Sequence, residues 1–175
     1  FKIEERKDAK NNMVSTMDSI KQSFKCAKNC NDLIYFVEDD YIHKVEALTE
    51  MLFAYEKFSS IMESEIFLLS TDYPYLYKNL NNSNILIGEN LHWRTVKESL
   101  LTFMTSKKMI EKHYDKLTEM ATIESRPFEK NLHKIYEKEK CFSPIPSLSF
   151  HCTNINSVFG ISPNLDFKKL WDENK

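Results

Sequence analysis

Apolar side chains recur at three- and four-residue steps through residues 12–28, at Met13, Val14, Met17, Ile20, Phe24 and Ala27. That spacing predicts an amphipathic helix. A polar stretch at 29–32 breaks it. Residues 33–37 (Leu-Ile-Tyr-Phe-Val) form an unbroken apolar run rich in strand formers. Such a run predicts an interior strand, buried on both faces in an α/β sheet. It stops abruptly at three acids, Glu38, Asp39 and Asp40. Val45, Leu48, Met51, Leu52, Tyr55 and Phe58 then mark the apolar face of a second helix.

Residues 66–69 (Ile-Phe-Leu-Leu) read as another buried strand, followed by a polar loop, Ser70, Thr71 and Asp72, that closes at Pro74. Residues 85–87 predict a short strand before Gly88, with 100–104 as its neighbour. Residues 107–120 and 127–139 predict two helices, the latter with a charged outer face. Pro144 and Pro146 forbid helix there. Residues 147–150 read as a last short strand ending at His151, and the tail from Gly160 as irregular. Strands alternating with helices predict an α/β fold with a mixed central sheet flanked by helices. In open α/β sheets, ligands sit beyond the C-terminal ends of strands. Glu38, Asp39, Asp40 and Asp72 fall at such ends.

The length of 175 residues suits a single domain, and a hydrophobic fraction of 42% is ample for a core. The net charge is −2, with acids and bases interleaved, so no basic patch points to nucleic acid. No apolar run approaches the roughly 20 residues a membrane-spanning helix needs, and no secretory leader is read at the start. Only Gly88 and Gly160 are glycine, which leaves no room for a P-loop or a dinucleotide-binding turn. HExxH, GxSxG and CxxC patterns do not occur. Cys26 and Cys30 lie four apart while Cys141 and Cys152 are distant. That spacing favours reduced thiols in a cytoplasmic protein over a zinc site.

Three adjacent carboxylates repel one another, and a hard divalent cation such as Mg²⁺ or Mn²⁺ relieves the repulsion while bridging phosphates. The plainer alternative for Glu38, Asp39 and Asp40 is a solvated acidic turn at the start of the next helix, where acids favour the helix dipole. His151 stands after a proline-bounded strand, and its imidazole suits Mn²⁺ better than Mg²⁺. His92, Trp93, Arg94 and Thr95 combine an aromatic face, for a sugar or base, with a cation able to clamp a diphosphate. The alternative is a loop with one buried Trp. Asp72 is a candidate for acceptor binding or as general base, and Glu124 is a weaker base candidate.

Residues 32–43 (DLIYFVEDDYIH) resemble the strand that carries the DXD motif in a GT-A glycosyltransferase family, where it ends in an EDDYLH-like pattern. Thr71, Asp72, Tyr73 and Pro74 resemble that family's Asp- and Pro-containing loop. Residues 92–95 (HWRT) with 99–103 resemble its HWRT segment and the strand that follows, and 143–151 (SPIPSLSFH) its closing PxPSLxxH. The four blocks keep their order between about 30 and 151. Leu100 and Leu101 depart from the family, replacing hydroxyl residues expected there.

The resemblance implies a partial GT-A-like domain over 1–175, the C-terminal portion of the full domain, with much of the upstream nucleotide-binding βαβ half missing. It implies a metal-dependent glycosyltransferase that uses Mn²⁺ or Mg²⁺. The donor would be a nucleoside-diphosphate sugar and the acceptor a glycan or other hydroxyl compound. Asp40 and His151 would be metal ligands, with Glu38 or Asp39 toward ribose or metal and Trp93 and Arg94 toward the donor. Two other classes fit the same residues: a non-catalytic nucleotide- or carbohydrate-binding remnant, and a metal-dependent phosphohydrolase.

Overall fold

A computed structural model describes residues 12–77, 82–122, 129–152 and 167–175. Its elements are helix α1 (Asn12–Ala27), strands β1 (Leu33–Phe36) and β2 (Tyr41–His43), helix α2 (Ala47–Met62), strand β3 (Phe67–Leu69) and a 3-10 turn (Pro74–Tyr77). Strands β4 (Ile85–Ile87), β5 (His92–Val96) and β6 (Phe103–Ser106) follow, then helices α3 (Lys107–Lys112), α4 (Tyr114–Met120) and α5 (Lys130–Tyr136). Strands β7 (Cys141–Ile145) and β8 (Ser149–His151) and helix α6 (Phe167–Glu173) complete the described chain.

The protein is α/β. Six strands form one mixed sheet in the order β1-β6-β3-β7-β5-β4, and β2 pairs with β8 in a separate two-stranded sheet. The β3–β7 pair is parallel and the other pairs are antiparallel. Alternate side chains of β3 and β6 point to opposite faces, as the pleat requires. Phe67, Leu69 and Phe103 join a core with Phe24 of α1, Leu117 of α4 and Leu132 of α5. Leu68, Met104 and Phe142 join a second core with Met51, Ala54 and Phe58 of α2. Helices therefore cover both faces, and α2 stands alone on its side among the described residues.

Several elements differ from expectation. Strand β1 lies at the sheet edge among the described residues, its four residues half-buried, instead of in the interior. Its apolar run ends early, since Val37 is 51% exposed beyond the last paired residue. The neighbours of β6 are β1 and β3, not β4. Residues 107–120 form two helices, divided at His113, where the backbone leaves helical geometry (φ −113°) and the imidazole bonds Glu139 at 2.7 Å. The tail carries α6, where irregular chain was expected.

The α2 helix is present, but its face is turned. Ala47, Glu50, Met51, Ala54, Tyr55 and Phe58 point inward, whereas Val45, Leu48 and Leu52 are exposed. No helix among the described residues is long and apolar enough to cross a membrane.

Candidate metal and donor site

Strands β1 and β3 both run antiparallel to β6, and β7 runs parallel to β3. The three therefore point the same way, and their C-terminal ends share one edge of the sheet. Glu38, Asp39 and Asp40 leave the end of β1, and Asp72 follows β3. Beyond β7 a cis Ile145–Pro146 bond turns the chain into β8. The backbone N–H groups of Leu148 and Ser149 both donate to the Ser70 carbonyl, at 2.8 and 3.0 Å. This contact fastens the start of β8 to the end of β3.

β8 then pairs with β2, and Tyr41 faces His151 directly. The result brings together two residues 111 apart: His151 Nε2 lies 2.9 Å from Asp40 Oδ2. The turn is closed by the Cys152 N–H, which donates to the Asp40 carbonyl at 2.7 Å. The imidazole stacks on the Tyr41 ring with centroids 4.6 Å apart and planes 8° from parallel. Tyr41 is held from behind by a 2.5 Å hydroxyl contact with Tyr73, which is buried. Nδ1 of His151 is buried and has no hydrogen-bond partner among the described residues.

Glu38 stands beside this pair. Its backbone N–H donates to Thr102 Oγ1 at 3.1 Å, while its Oε2 is buried with no partner among the described residues. Burial, then the negative charges of Asp40 and Glu129, push its pKa up from the ordinary 4.5 to about 7. Asp39, at the tip of the turn, is exposed.

The other expected site residues are built into the scaffold. The Asp72 carboxylate is wholly buried and takes Arg94 Nη2 at 2.7 Å, Arg94 Nε at 3.3 Å, Ser143 Oγ at 3.3 Å and the Tyr77 hydroxyl. Arg94, in turn, lies 3.9 Å over the Tyr77 ring. Its fork is thus committed to Asp72 rather than open to a diphosphate. Residues 92–95 are strand, not loop, and Trp93 is fully buried, its Nε1 donating to Glu50 Oε1 at 3.1 Å. An indole with no exposed face has nothing to offer a sugar or base. Glu124 lies outside the described residues. A cavity of about 580 Å³ that includes Arg94, Lys97, Lys138 and Cys141 in its lining contains none of the triplet and not His151. It opens where β7 begins, at the opposite sheet edge from the acids.

Reading the sequence alone passes over Tyr41, Thr102 and Glu50. The first two carry no spacing signal, since they act through partners far along the chain. Glu50 does carry one: it is an acid in step with Ala47, Met51 and Ala54 on the buried face of α2.

Among the described residues, no three His, Cys, Asp or Glu side chains are grouped to hold a metal ion. Asp40 and His151 form a two-point donor set of one oxygen and one nitrogen. Their 2.9 Å separation matches neighbouring corners of an octahedron with bonds of about 2.1 Å. Mg²⁺ and Mn²⁺ commonly draw their remaining ligands from water and substrate phosphates, so the pair fits such an ion. Compared with family models, curated proteins and solved structures, the chain matches none at a significant level.

Proposed function

We propose that this chain is the metal-binding, C-terminal portion of a GT-A-type glycosyltransferase domain, which moves a sugar from a nucleoside-diphosphate sugar to an acceptor hydroxyl. The observation that carries this reading is the Asp40–His151 contact at 2.9 Å. The chain spends two strand pairings and a turn to bring these groups together at the sheet edge where α/β folds bind ligands. Asp40 and His151 would hold Mn²⁺ or Mg²⁺, which when bound offsets charge on the departing diphosphate. Glu38, with its pKa raised to about 7, carries its proton part of the time at neutral pH. It can therefore donate to a ribose hydroxyl or accept from one. Asp39 lies exposed at the mouth of the same turn. The general base is not drawn from Asp72, whose oxygens are taken by Arg94, Ser143 and Tyr77.

The test uses the protein that carries this chain. Asp40→Asn keeps the shape and removes the charge. It is expected to lower Mn²⁺-dependent release of nucleoside diphosphate by about a thousandfold or more, since one charged ligand is worth several kcal/mol at the transition state. Mn²⁺ titration by electron paramagnetic resonance should show the same loss of affinity. Wild-type turnover with unchanged metal dependence in Asp40→Asn sinks the mechanism.

A non-catalytic nucleotide- or carbohydrate-binding remnant is the second reading. It is favoured by the burial of Asp72, Trp93 and Arg94 in scaffold contacts. Nucleotide-sugar binding without turnover would select it. Release of phosphate from nucleotides with no acceptor present would select a metal-dependent phosphohydrolase.

A further inference from the structure

We infer that Tyr41 is a positioning residue for His151, its ring doing by stacking what a second hydrogen bond does for most metal-binding histidines. This rests on the proposed metal role of Asp40 and His151. A ligating histidine ordinarily donates its other ring N–H to a carboxylate, a carbonyl or water, which fixes the ring's rotation and tautomer. Among the described residues His151 has no such tether, since Nδ1 is buried with no partner there. Rotation about the Cβ–Cγ bond would carry Nε2 away from Asp40, and no contact at Nδ1 opposes it.

Beside the Nε2–Asp40 contact itself, the contact that opposes it is Tyr41. The two residues are direct partners across the β2–β8 ladder. Their rings lie 4.6 Å apart and within 8° of parallel. A flat neighbour at that spacing leaves the imidazole free to slide but resists rotation out of plane. The tyrosine is itself anchored at its far end by the Tyr73 hydroxyl at 2.5 Å. The Tyr73 ring stacks on Tyr75, with centroids 5.4 Å apart. Two ring stacks joined by that hydroxyl contact thus reach from the turn after β3 to the His151 imidazole.

The hydroxyl and the ring of Tyr41 have separable effects. Tyr41→Phe removes the contact with Tyr73 and keeps the face against His151. Tyr41→Leu removes the face. Two readouts on the intact protein distinguish the roles: the ring-proton NMR shifts of His151 without metal, and Mn²⁺ affinity by electron paramagnetic resonance. In the wild type and in Tyr41→Phe, the His151 ring protons should be shifted upfield by the parallel ring. In both, Mn²⁺ should bind within about twofold of one affinity. In Tyr41→Leu the shift should vanish and Mn²⁺ affinity should fall about tenfold, the lower end of what losing an orienting partner costs. Tyr41→Met serves the same purpose if the leucine variant does not fold.

Equal loss of Mn²⁺ affinity in Tyr41→Phe and Tyr41→Leu would show that the hydroxyl contact with Tyr73, not the ring face, holds His151, and would overturn the inference. So would wild-type Mn²⁺ affinity in Tyr41→Leu, or unshifted His151 protons in the wild type. Shifted protons in a wild type that binds no Mn²⁺ would overturn the metal reading itself, and with it any positioning role toward a metal.

Discussion

Glu38 and Glu50 are both largely enclosed carboxylates with opposite surroundings. Glu50 receives the backbone N–H groups of Glu89 and Asn90, at 3.1 and 2.9 Å, and the Trp93 indole at 3.1 Å. Such donors compensate the loss of water, as a buried charge requires. Glu38 has one oxygen buried without a partner among the described residues, and burial with two nearby acids pushes its pKa to about 7. A carboxyl whose folded value lies above its unfolded value binds its proton more tightly when folded. Its contribution to stability is therefore greatest below about 4.5 and falls as pH rises through 7. A shift of this size corresponds to roughly 3 kcal/mol. Glu38→Gln should abolish that part of the pH dependence and leave the protein more stable than wild type at pH 8. Urea unfolding between pH 4 and 8 checks this, and parallel profiles for the two proteins would refute it. The acidic triplet is visible in the sequence, but its division into a shifted Glu38, an exposed Asp39 and a paired Asp40 is not. That division depends on burial by distant segments and on residues far along the chain, Glu129 beside Glu38 and His151 beside Asp40.

The hairpin β4–β5 shows how an element is located by one close approach. A Cβ built on Gly88 would lie 2.2 Å from Glu50 Oε1 and 2.6 Å from Trp93 Nε1. The glycine therefore lets the hairpin turn press against α2, where Glu50 caps its N–H groups. Gly88→Ala should destabilise the protein by at least about 2 kcal/mol, as overpacking against a fixed polar cluster does. Thermal unfolding is the measure, and a melting temperature within a degree of wild type would contradict the packing. The same cluster explains the turned face of α2. Periodicity alone allows Val45, Leu48 and Leu52 to line the inner face. The three N–H groups from the hairpin draw Glu50 inward, and Ala47, Met51 and Ala54 follow at helical spacing. A lone acid in phase with alanines and methionine was the available clue.

At the scale of the molecule, strand order decides which hydrogen bonds are protected. β3 is paired on both sides, by β6 and β7, and its residues are wholly buried. β4 has one partner among the described residues, and its Ile85 and Ile87 are 61% and 57% exposed. Hydrogen exchange should be slowest at Phe67, Leu68 and Leu69 and their partners in β6, and faster by orders of magnitude in β4. Comparable protection in β3 and β4 would mean the order is wrong. The same order puts β1, β3 and β7 in one direction, so that Asp40 and Asp72 leave the sheet at one edge. It also gives Asp72 to Arg94, since Ser143 of β7 lies opposite Arg94 in the ladder and contributes to the same carboxylate.

The features legible in the chain alone are local and periodic. Apolar runs and three- and four-residue spacings placed α1, α2 and β3 and the α/β class. An apolar run stopping at acids marked where β1 ends. These features are legible because each depends on residues within a few positions of one another. Tertiary structure alone decided that β1 is at the edge among the described residues, that β6 lies between β1 and β3, and that Asp72 and Arg94 satisfy each other. It also joined His151 to Asp40 and laid it on Tyr41. The reason is that strand pairing and side-chain contact between distant segments are chosen by the whole set of competing packings, and no short window of sequence contains that competition.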